Sequence, residues 1–139
     1  MAHLTAPVEA EDSKGYSSAP HGSADASEWV ELDLGEETTL SKIILMPRTD
    51  TASVSGGIAG FPRDFRVELA KQPGVYKTVA SFDKCVAPGQ EGLTVDLYTV
   101  IGYPVVRYIR ITATRLGAPA RDEPANYRLQ LRRIRLLRP

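Results

Sequence analysis

Residues 29–35, Trp-Val-Glu-Leu-Asp-Leu-Gly, alternate apolar and acidic side chains without interruption. In an extended chain Val30, Leu32 and Leu34 share one face, and the two acids between them share the other. A period of two residues is typical of a strand with one buried and one solvated face. The stretch therefore predicts a β-strand whose sheet covers an apolar core.

Similar strand patterns recur on the C-terminal side of this stretch, with no sustained helical period and no internal repeat. Residues 35–37 predict a turn, and the apolar phase slips between Leu131 and Ile134, which indicates a bulge or a twist. Further strands are expected over residues 40–46, 65–69, 75–82, 93–97, 105–114 and 129–136. Seven short strands without crossover helices predict an all-β, antiparallel β-sandwich of Greek-key or jelly-roll topology.

The composition suits one soluble globular domain. The chain has 139 residues, of which 42% are hydrophobic and 24% charged, so it can bury a substantial core. Its longest run of large apolar residues, 43–46, is far too short to span a membrane, and no secretory leader is visible. Residues 1–14 are interpreted as an irregular lead-in and residues 15–139 as the domain.

The charges are distributed unevenly, although the formal net charge is zero. Residues 1–40 hold nine acids against Lys14 alone, whereas nine arginines follow from Arg107 onwards. Either the arginines form a basic patch that attracts a polyanion, or the two parts of the chain pair in space. No aromatic residues alternate with the C-terminal arginines as a stacking platform would require, so we do not expect nucleic-acid binding.

No catalytic constellation is present in the sequence. The two histidines, His3 and His21, match no metal-ligand spacing, and Ser55-Gly56-Gly57 lacks the lysine of a phosphate-binding loop. The single cysteine, Cys85, has no base nearby in sequence and is interpreted as a small, at least half-buried apolar residue. We therefore expect a binding protein rather than an enzyme.

The longest irregular stretch, residues 47–62, is the first candidate for function, because loops of this length are uncommon unless they are functional. Arg48 supplies directional donors, Asp50 supplies acceptors and Phe61 supplies an aromatic face. Such a trio suits a hydroxyl-rich ring with one apolar side. The alternatives are a local Arg48–Asp50 ion pair that shapes the loop, and a core role for Phe61, which we favour for that residue.

Five stretches together resemble the discoidin domains, also called coagulation factor V/VIII type C domains. The resemblance extends in order over about residues 15–137, and it is greatest with the bacterial members classed as family 32 carbohydrate-binding modules. The stretches are residues 28–35, 44–48, 60–67, 106–116 and 127–131.

The resemblance implies a galactose-binding-domain-like jelly roll that binds its ligand with loops at one end. Arg48 matches the arginine with which sugar-binding relatives contact their ligand. The loop before Trp29 should add a histidine or another polar residue, and a late loop, residues 117–127, should add an aromatic residue or an asparagine. The candidates that these loops offer are Tyr16, Ser17, Ser18 and His21, and then Arg115, Asn126 and Tyr127.

Two departures from the family pattern concern a structural calcium ion. The family usually opens with a further strand and an Asp-Gly loop, and residues 3–7 provide neither. Where relatives place a calcium-binding glutamate near the final strand, this chain has Arg133, and a guanidinium cannot coordinate a cation. We therefore expect no calcium site, no opening strand and an exposed sheet edge.

The sequence is thus interpreted as a non-catalytic carbohydrate-binding module without a cofactor. The resemblance implies an extracellular or periplasmic location within a larger protein such as a glycoside hydrolase. Its partners would be carbohydrate and the parent enzyme or another protein, with no nucleic acid and no membrane. Two alternatives stay open: a protein-interaction or scaffolding domain, and a polyanion-binding domain that uses the arginine-rich C-terminal part.

Overall fold

The computed structural model describes residues 2–4 and 16–139, and its regular secondary structure is entirely β-strand. No helix in this part of the chain is long and apolar enough to cross a membrane. The strands, in chain order, are β1 (Ala2–Leu4), β2 (Tyr16–Ser17), β3 (Glu28–Thr39), β4 (Lys42–Met46), β5 (Asp64–Ala70), β6 (Lys77–Phe82), β7 (Leu93–Asp96), β8 (Val105–Arg115), β9 (Gln130–Leu131) and β10 (Arg133–Leu137).

A five-stranded sheet in the order β1-β3-β8-β5-β6 forms one layer. Its long central strands β3 and β8 run antiparallel, from Glu28 opposite Ala113 to Thr39 opposite Val105. Val30 and Leu32 are buried while Glu31 and Asp33 stay partly exposed, as the alternating pattern predicts. The strand that decides the fold is therefore confirmed.

The second layer is a three-stranded antiparallel sheet in the order β10-β4-β7. The inward side chains of both sheets form one apolar core, so the predicted antiparallel sandwich is confirmed. The phase slip after Leu131 marks a real break, because β9 ends there and pairs with β2, whereas β10 pairs with β4. Core residues include Val30, Leu32, Ile43, Leu45, Phe65, Val67, Ile109, Ile111, Ile134 and Leu136.

Two details of the predicted strands are wrong. Instead of turning at residues 35–37, β3 continues to Thr39, with a register shift against β8 between Asp33 and Thr38. Gly35 has φ of +83° there, and its N–H donates to Asp33 Oδ1 at 2.8 Å. A glycine that tolerates positive φ thus supports a bulge rather than a reversal of the chain.

The expectation that no opening strand is present is also wrong. β1 pairs in parallel with β3, from Ala2 opposite Val30 to Leu4 opposite Leu32. Three residues are too few to display a strand period, so the sequence pattern could not show this strand. It covers the edge of β3 that we expected to be exposed. Residues 5–14, the rest of the predicted lead-in, lie outside the described residues.

Phe61 lies in the core, which confirms the core role that we favoured for this residue. Its side chain is buried, and its ring meets that of Phe65 edge-on with centroids 5.8 Å apart. The neighbouring chain at Gly117 approaches so closely that a Cβ there would collide with the carbonyl oxygen of Phe61. A glycine at position 117 is thus required by backbone-to-backbone contact.

Gly117→Ala is expected to lower the free energy of unfolding by roughly 2 kcal/mol, because the added methyl group must displace main-chain atoms. Gly22→Ala is the matched control, since a Cβ at Gly22 has no neighbour within 4 Å. Urea unfolding of both variants measures the difference. Equal stabilities for the two variants would contradict the close approach at Gly117.

Candidate functional site

Three loops emerge at one end of the sandwich, which we call the loop end. β3 begins there at Glu28, β8 ends there at Arg115, and β4 ends there at Met46 opposite Arg133. We call these loops the first loop (residues 18–27), the long loop (residues 47–62) and the late loop (residues 117–127). The antiparallel register therefore brings together segments that are distant in sequence.

Main-chain hydrogen bonds join the three loops. The late loop and the long loop exchange bonds from Gly60 N to Ala118 O (2.9 Å), Val54 N to Pro119 O (3.0 Å) and Arg121 N to Ala52 O (2.9 Å). The first loop accepts a bond at Ala24 O from Leu116 N, at 2.8 Å. Although the long loop contains no strand, its backbone is therefore fixed against the late loop.

Arg48 is held in one orientation by three hydrogen bonds. Its Nε donates to Asp50 Oδ1 at 2.6 Å, and its two terminal nitrogens donate to Asp50 Oδ2 and Gln130 Oε1, each at 3.3 Å. The Arg48 side chain is 23% exposed and that of Asp50 is 67% exposed. The local ion pair that we considered for this loop is therefore present, and it leaves the outer side of the carboxylate open to solvent.

The charges around Arg48 hold both partners ionised. The Arg48 guanidinium, as hydrogen-bond donor, lowers the pKa of the Asp50 carboxyl below its usual value. The Asp50 hydrogen bond in turn raises the pKa of Arg48, and the charges of Asp122 and Glu123 on the late loop add to this effect. Negative charge from two loops thus converges on one guanidinium.

Gln130 is a site residue that sequence reasoning missed. Its buried side chain accepts from Arg48 and donates from Nε2 to Ser17 Oγ at 3.1 Å. Gly60, at φ +76°, leaves room for it, because a Cβ at Gly60 would lie 2.5 Å from Gln130 Cβ. The signal in the sequence that could have indicated this residue is its position, because Gln130 is a polar residue between the core residues Leu129 and Leu131.

Glu123 organises the late loop. Its Oε2 accepts from Asn126 Nδ2 at 3.2 Å and from Arg128 at 2.9 Å, and Arg128 also donates to the carbonyl of Ser18. These bonds, that of Asn126 first, lower the pKa of the Glu123 carboxyl. Asn126 therefore lies in the late loop where it was expected, with its amide group anchored on the protein.

His21 and Tyr127 lie opposite each other in a short antiparallel bridge. Their main chains exchange hydrogen bonds of 2.8 and 2.9 Å. The His21 side chain is 33% exposed, and its Nε2 lies 3.0 Å from Oε2 of the buried Glu28. The structure thus brings together two predicted site residues that are more than a hundred positions apart in sequence.

Tyr16 and Arg115, the remaining predicted site residues, lie apart from this arrangement. Tyr16 is buried in the core, and its hydroxyl lies 3.4 Å from the Trp29 carbonyl. Burial and then the Glu28 charge raise its pKa to about 12. Arg115 pairs instead with Asp25 at 2.8 Å. Tyr16 thus packs with the core, and Arg115 joins the end of β8 to the first loop.

The described residues contain no cluster of metal-ligating side chains. Nowhere in residues 16–139 do three or more His, Cys, Asp or Glu side chains gather as a possible cation site. Arg133, at the position where the family places a glutamate, lies on β10 opposite Met46. Cys85 is half-buried against the core, as interpreted, and burial raises the pKa of its thiol.

The family model of the F5/8 type C domain matches residues 7–128. The chain belongs to this family. The match spans most of the sandwich and includes all three loops of the loop end. None of the curated proteins compared with the chain matches it significantly.

Solved structures of carbohydrate-binding modules share the fold of this F5/8 type C domain. One such structure is a family 32 module from a family 31 glycoside hydrolase of Clostridium perfringens. It is 18% identical to this chain with a TM-score of 0.60, and the match covers 94% of this chain and 81% of that chain. The family 32 module of NanJ from the same organism, in complex with galactose, has 15% identity, a TM-score of 0.52 and coverages of 88% and 90%. A chitosan-binding module from Paenibacillus sp. IK-5 has 15% identity, a TM-score of 0.55 and coverages of 84% and 73%.

Glu123→Gln is expected to destabilise the domain near neutral pH and to have progressively less effect in acid. The pKa of Glu123 is lowered in the folded state, so its stabilising contribution is present above the unfolded-state pKa and is lost as pH falls through the folded-state pKa. Urea unfolding at several pH values between 7 and 3 tests this. Glu37→Gln, at an exposed acid of β3, controls for the removal of one charge, and a pH-independent effect of Glu123→Gln would contradict the prediction.

Proposed function

We propose that this domain is a non-catalytic carbohydrate-binding module that holds a sugar at the loop end through Arg48 and Asp50. The observation that carries the proposal is the fixed Arg48–Asp50–Gln130 arrangement at the edge of the joined loops. The sugar-binding modules with the same fold support it. The identity of the sugar is not part of the proposal.

The arrangement offers what a pair of neighbouring hydroxyl groups requires. Asp50 has open acceptor positions on a carboxylate that stays ionised, and Arg48 has five N–H donors, of which three are used within the protein. Because both side chains are already ordered, a ligand does not bear the entropy cost of fixing them. The site is therefore preorganised for hydrogen bonding.

His21, Asn126 and Tyr127 form the second part of the proposed site. All three are half-exposed, and the His21–Tyr127 bridge holds the first loop against the late loop. An open site that takes one small sugar is expected to bind with a dissociation constant of roughly millimolar to tens of micromolar. Tethering to a larger, secreted glycan-active protein would raise the effective concentration without any new contact.

The charge state of the carboxyl groups supports a binding role over a catalytic one. Asp50 and Glu123, the acids of the proposed site with shifted pKa values, are both shifted downwards by neighbouring donors. A glycosidase needs one carboxyl group with a raised pKa to act as a general acid. Neither group meets this need, which supports the non-catalytic role that we propose.

Arg48→Ala is expected to weaken sugar binding roughly tenfold or more, because it removes charged donors and releases Asp50 from its fixed position. A glycan array at low and moderate salt, followed by titration calorimetry on the best ligand, gives the measurement. Arg138→Ala is the matched control, since Arg138 is exposed and follows β10 at the opposite end of the sandwich.

Selective binding of a neutral glycan that is salt-insensitive, lost in Arg48→Ala and retained in Arg138→Ala, is the expected result. Equal binding by both variants would move the ligand away from the loop end. Absence of glycan binding by the native domain would overturn the proposal. Thermal unfolding of each variant separates a loss of binding from a loss of fold.

Protein docking at the other end of the sandwich, the far end, is a second candidate function. Residues 99 and 102 close a two-residue hairpin whose tip, Val100 and Ile101, is almost fully exposed. The hairpin lines one side of an apolar groove of ≈ 830 Å³, which is also lined by Val75 and Val79. Of the nine large exposed apolar residues in the described part of the chain, seven lie at this end: Val75, Val79, Tyr98, Val100, Ile101, Tyr103 and Val105. Patches of this kind mark interaction sites.

The occupant that we assign to the far end is a second copy of this chain. A twofold contact would cover the same exposed apolar patch on both copies. Sedimentation velocity over a concentration series should show a dimer that Ile101→Lys converts to monomer. Val86→Lys, at another exposed valine, is the control. A native protein that stays monomeric at high concentration would exclude this second candidate without affecting the first.

A further inference from the structure

Glu28 is an acid at a position of β3 that faces the core. It lies in phase with Val30 and Leu32 along the strand, and like them it is buried, with 8% of its surface exposed. A buried carboxylate lowers stability unless hydrogen bonds compensate for the water that it loses. Folding alone would favour an apolar residue here, so the acid needs a further explanation.

The hydrogen-bond partner of Glu28 is His21 on the first loop, whose Nε2 lies 3.0 Å from Glu28 Oε2. An ionised carboxylate accepts hydrogen bonds and donates none, so the ring nitrogen that meets it carries a hydrogen. The charge of Glu28 is also felt by the buried Tyr16, whose pKa is raised to about 12 by burial and then by this charge. Glu28 thus determines which nitrogen of a neutral His21 ring is protonated.

The orientation of His21 is fixed at both its main chain and its side chain. Its main chain exchanges hydrogen bonds of 2.8 and 2.9 Å with Tyr127, and its Nε2 is held by Glu28. The His21 side chain is nevertheless 33% exposed. Among residues 16–139, Glu28 provides the one hydrogen bond to this ring. Nδ1 is therefore the ring nitrogen that is left for solvent or for a ligand.

We propose that Glu28 is a positioning residue of the loop-end site. It fixes the hydrogen of the neutral His21 ring on Nε2 and thereby makes Nδ1 a hydrogen-bond acceptor for a hydroxyl group of the bound sugar. A carboxylate commonly fixes the tautomer and the orientation of an imidazole where the histidine must offer one particular nitrogen. Glu28 acts on the sugar through His21, without a contact of its own.

The role of Nδ1 defines the kind of sugar group that this part of the site accepts. A hydroxyl group can donate to a bare ring nitrogen, whereas an ether oxygen or a carboxylate cannot. The charge of Glu28 next to the ring also disfavours an anionic group. His21 therefore favours a neutral sugar with a free hydroxyl group over an acidic or O-methylated one. This inference rests on the proposed function, because His21 belongs to the second part of that site.

The first test is nitrogen-15 NMR of the His21 ring in the whole domain without a sugar. Spectra are recorded at about pH 8.5, above the reference pKa of histidine, and His21→Ala identifies the signals. We expect one tautomer with the hydrogen on Nε2 in the native domain, and a mixture of both tautomers in Glu28→Leu. Glu37→Leu removes an exposed acid of the same strand and should keep the native signals. Equal tautomer populations in the native domain and Glu28→Leu would overturn the inference.

The second test separates positioning from a structural role. Urea unfolding should show Glu28→Leu to be at least as stable as the native domain, because an apolar side chain replaces a buried carboxylate. Its affinity for galactose, the sugar in the NanJ complex, should nevertheless fall roughly tenfold in calorimetry. Glu28→Gln should keep most of the affinity, since its amide oxygen still accepts from Nε2. Where the array selects another glycan, that glycan replaces galactose.

A double-mutant cycle connects the effect to His21. Glu28→Leu should cause no further loss of affinity in a His21→Ala background. Equal losses with and without His21, or an unchanged affinity of Glu28→Leu, would overturn this inference and leave the proposed function intact. Absence of glycan binding by the native domain would instead refute the proposed function. If Glu28→Leu fails to fold, Glu28→Met gives the same comparisons.

Discussion

The register between β3 and β8 is the constraint on which the rest of this structure depends. It places Val30 opposite Ile111 and Leu32 opposite Ile109 in the core, and Glu31 opposite Arg110 on the outer face. Because side chains alternate with a period of two, a slip of one residue would bury acids and expose aliphatic groups. The same register ends β8 at the loop end, from which the late loop begins. Core, surface charge and site position thus follow from one pairing.

From that pairing the loop end acquires its rigidity. Gly117 lies against the backbone of Phe61, and the main chains of the long and late loops exchange hydrogen bonds at Gly60, Val54 and Arg121. Loops fixed in this way can present a charged pair such as Arg48 and Asp50 in a single geometry. The surface loops of the loop end are thereby ordered by main-chain contacts.

The sequence predicted the sandwich because its strands are long enough to show their two-residue period. It predicted that Arg48 and Asp50 lie in an irregular loop because residues 47–62 show no such period. It could not separate Tyr16 from His21, since both are amphipathic and only the pairing of β2 with β9 buries the tyrosine. Gln130 was missed for the converse reason, because a buried amide needs partners from segments distant in sequence. Gly35 indicated from the sequence that the backbone geometry changes at this position. Whether the chain then reverses or forms a bulge depends on its pairing with β8. Local pattern thus determined the elements, while long-range contacts determined which polar residues face outwards.

The ion pairs made by the arginines of β8 show why composition alone could not assign a ligand. The three arginines of β8 and the three near the start of β10 are alike in sequence, yet β8 lies next to the acid-bearing strand β3 and β10 lies next to the apolar strand β4. An arginine beside an acid at a partly exposed position is largely neutralised and contributes little to long-range attraction. Strand order therefore decides which arginines are neutralised by neighbouring acids, and the composition of a chain with zero net charge does not show it.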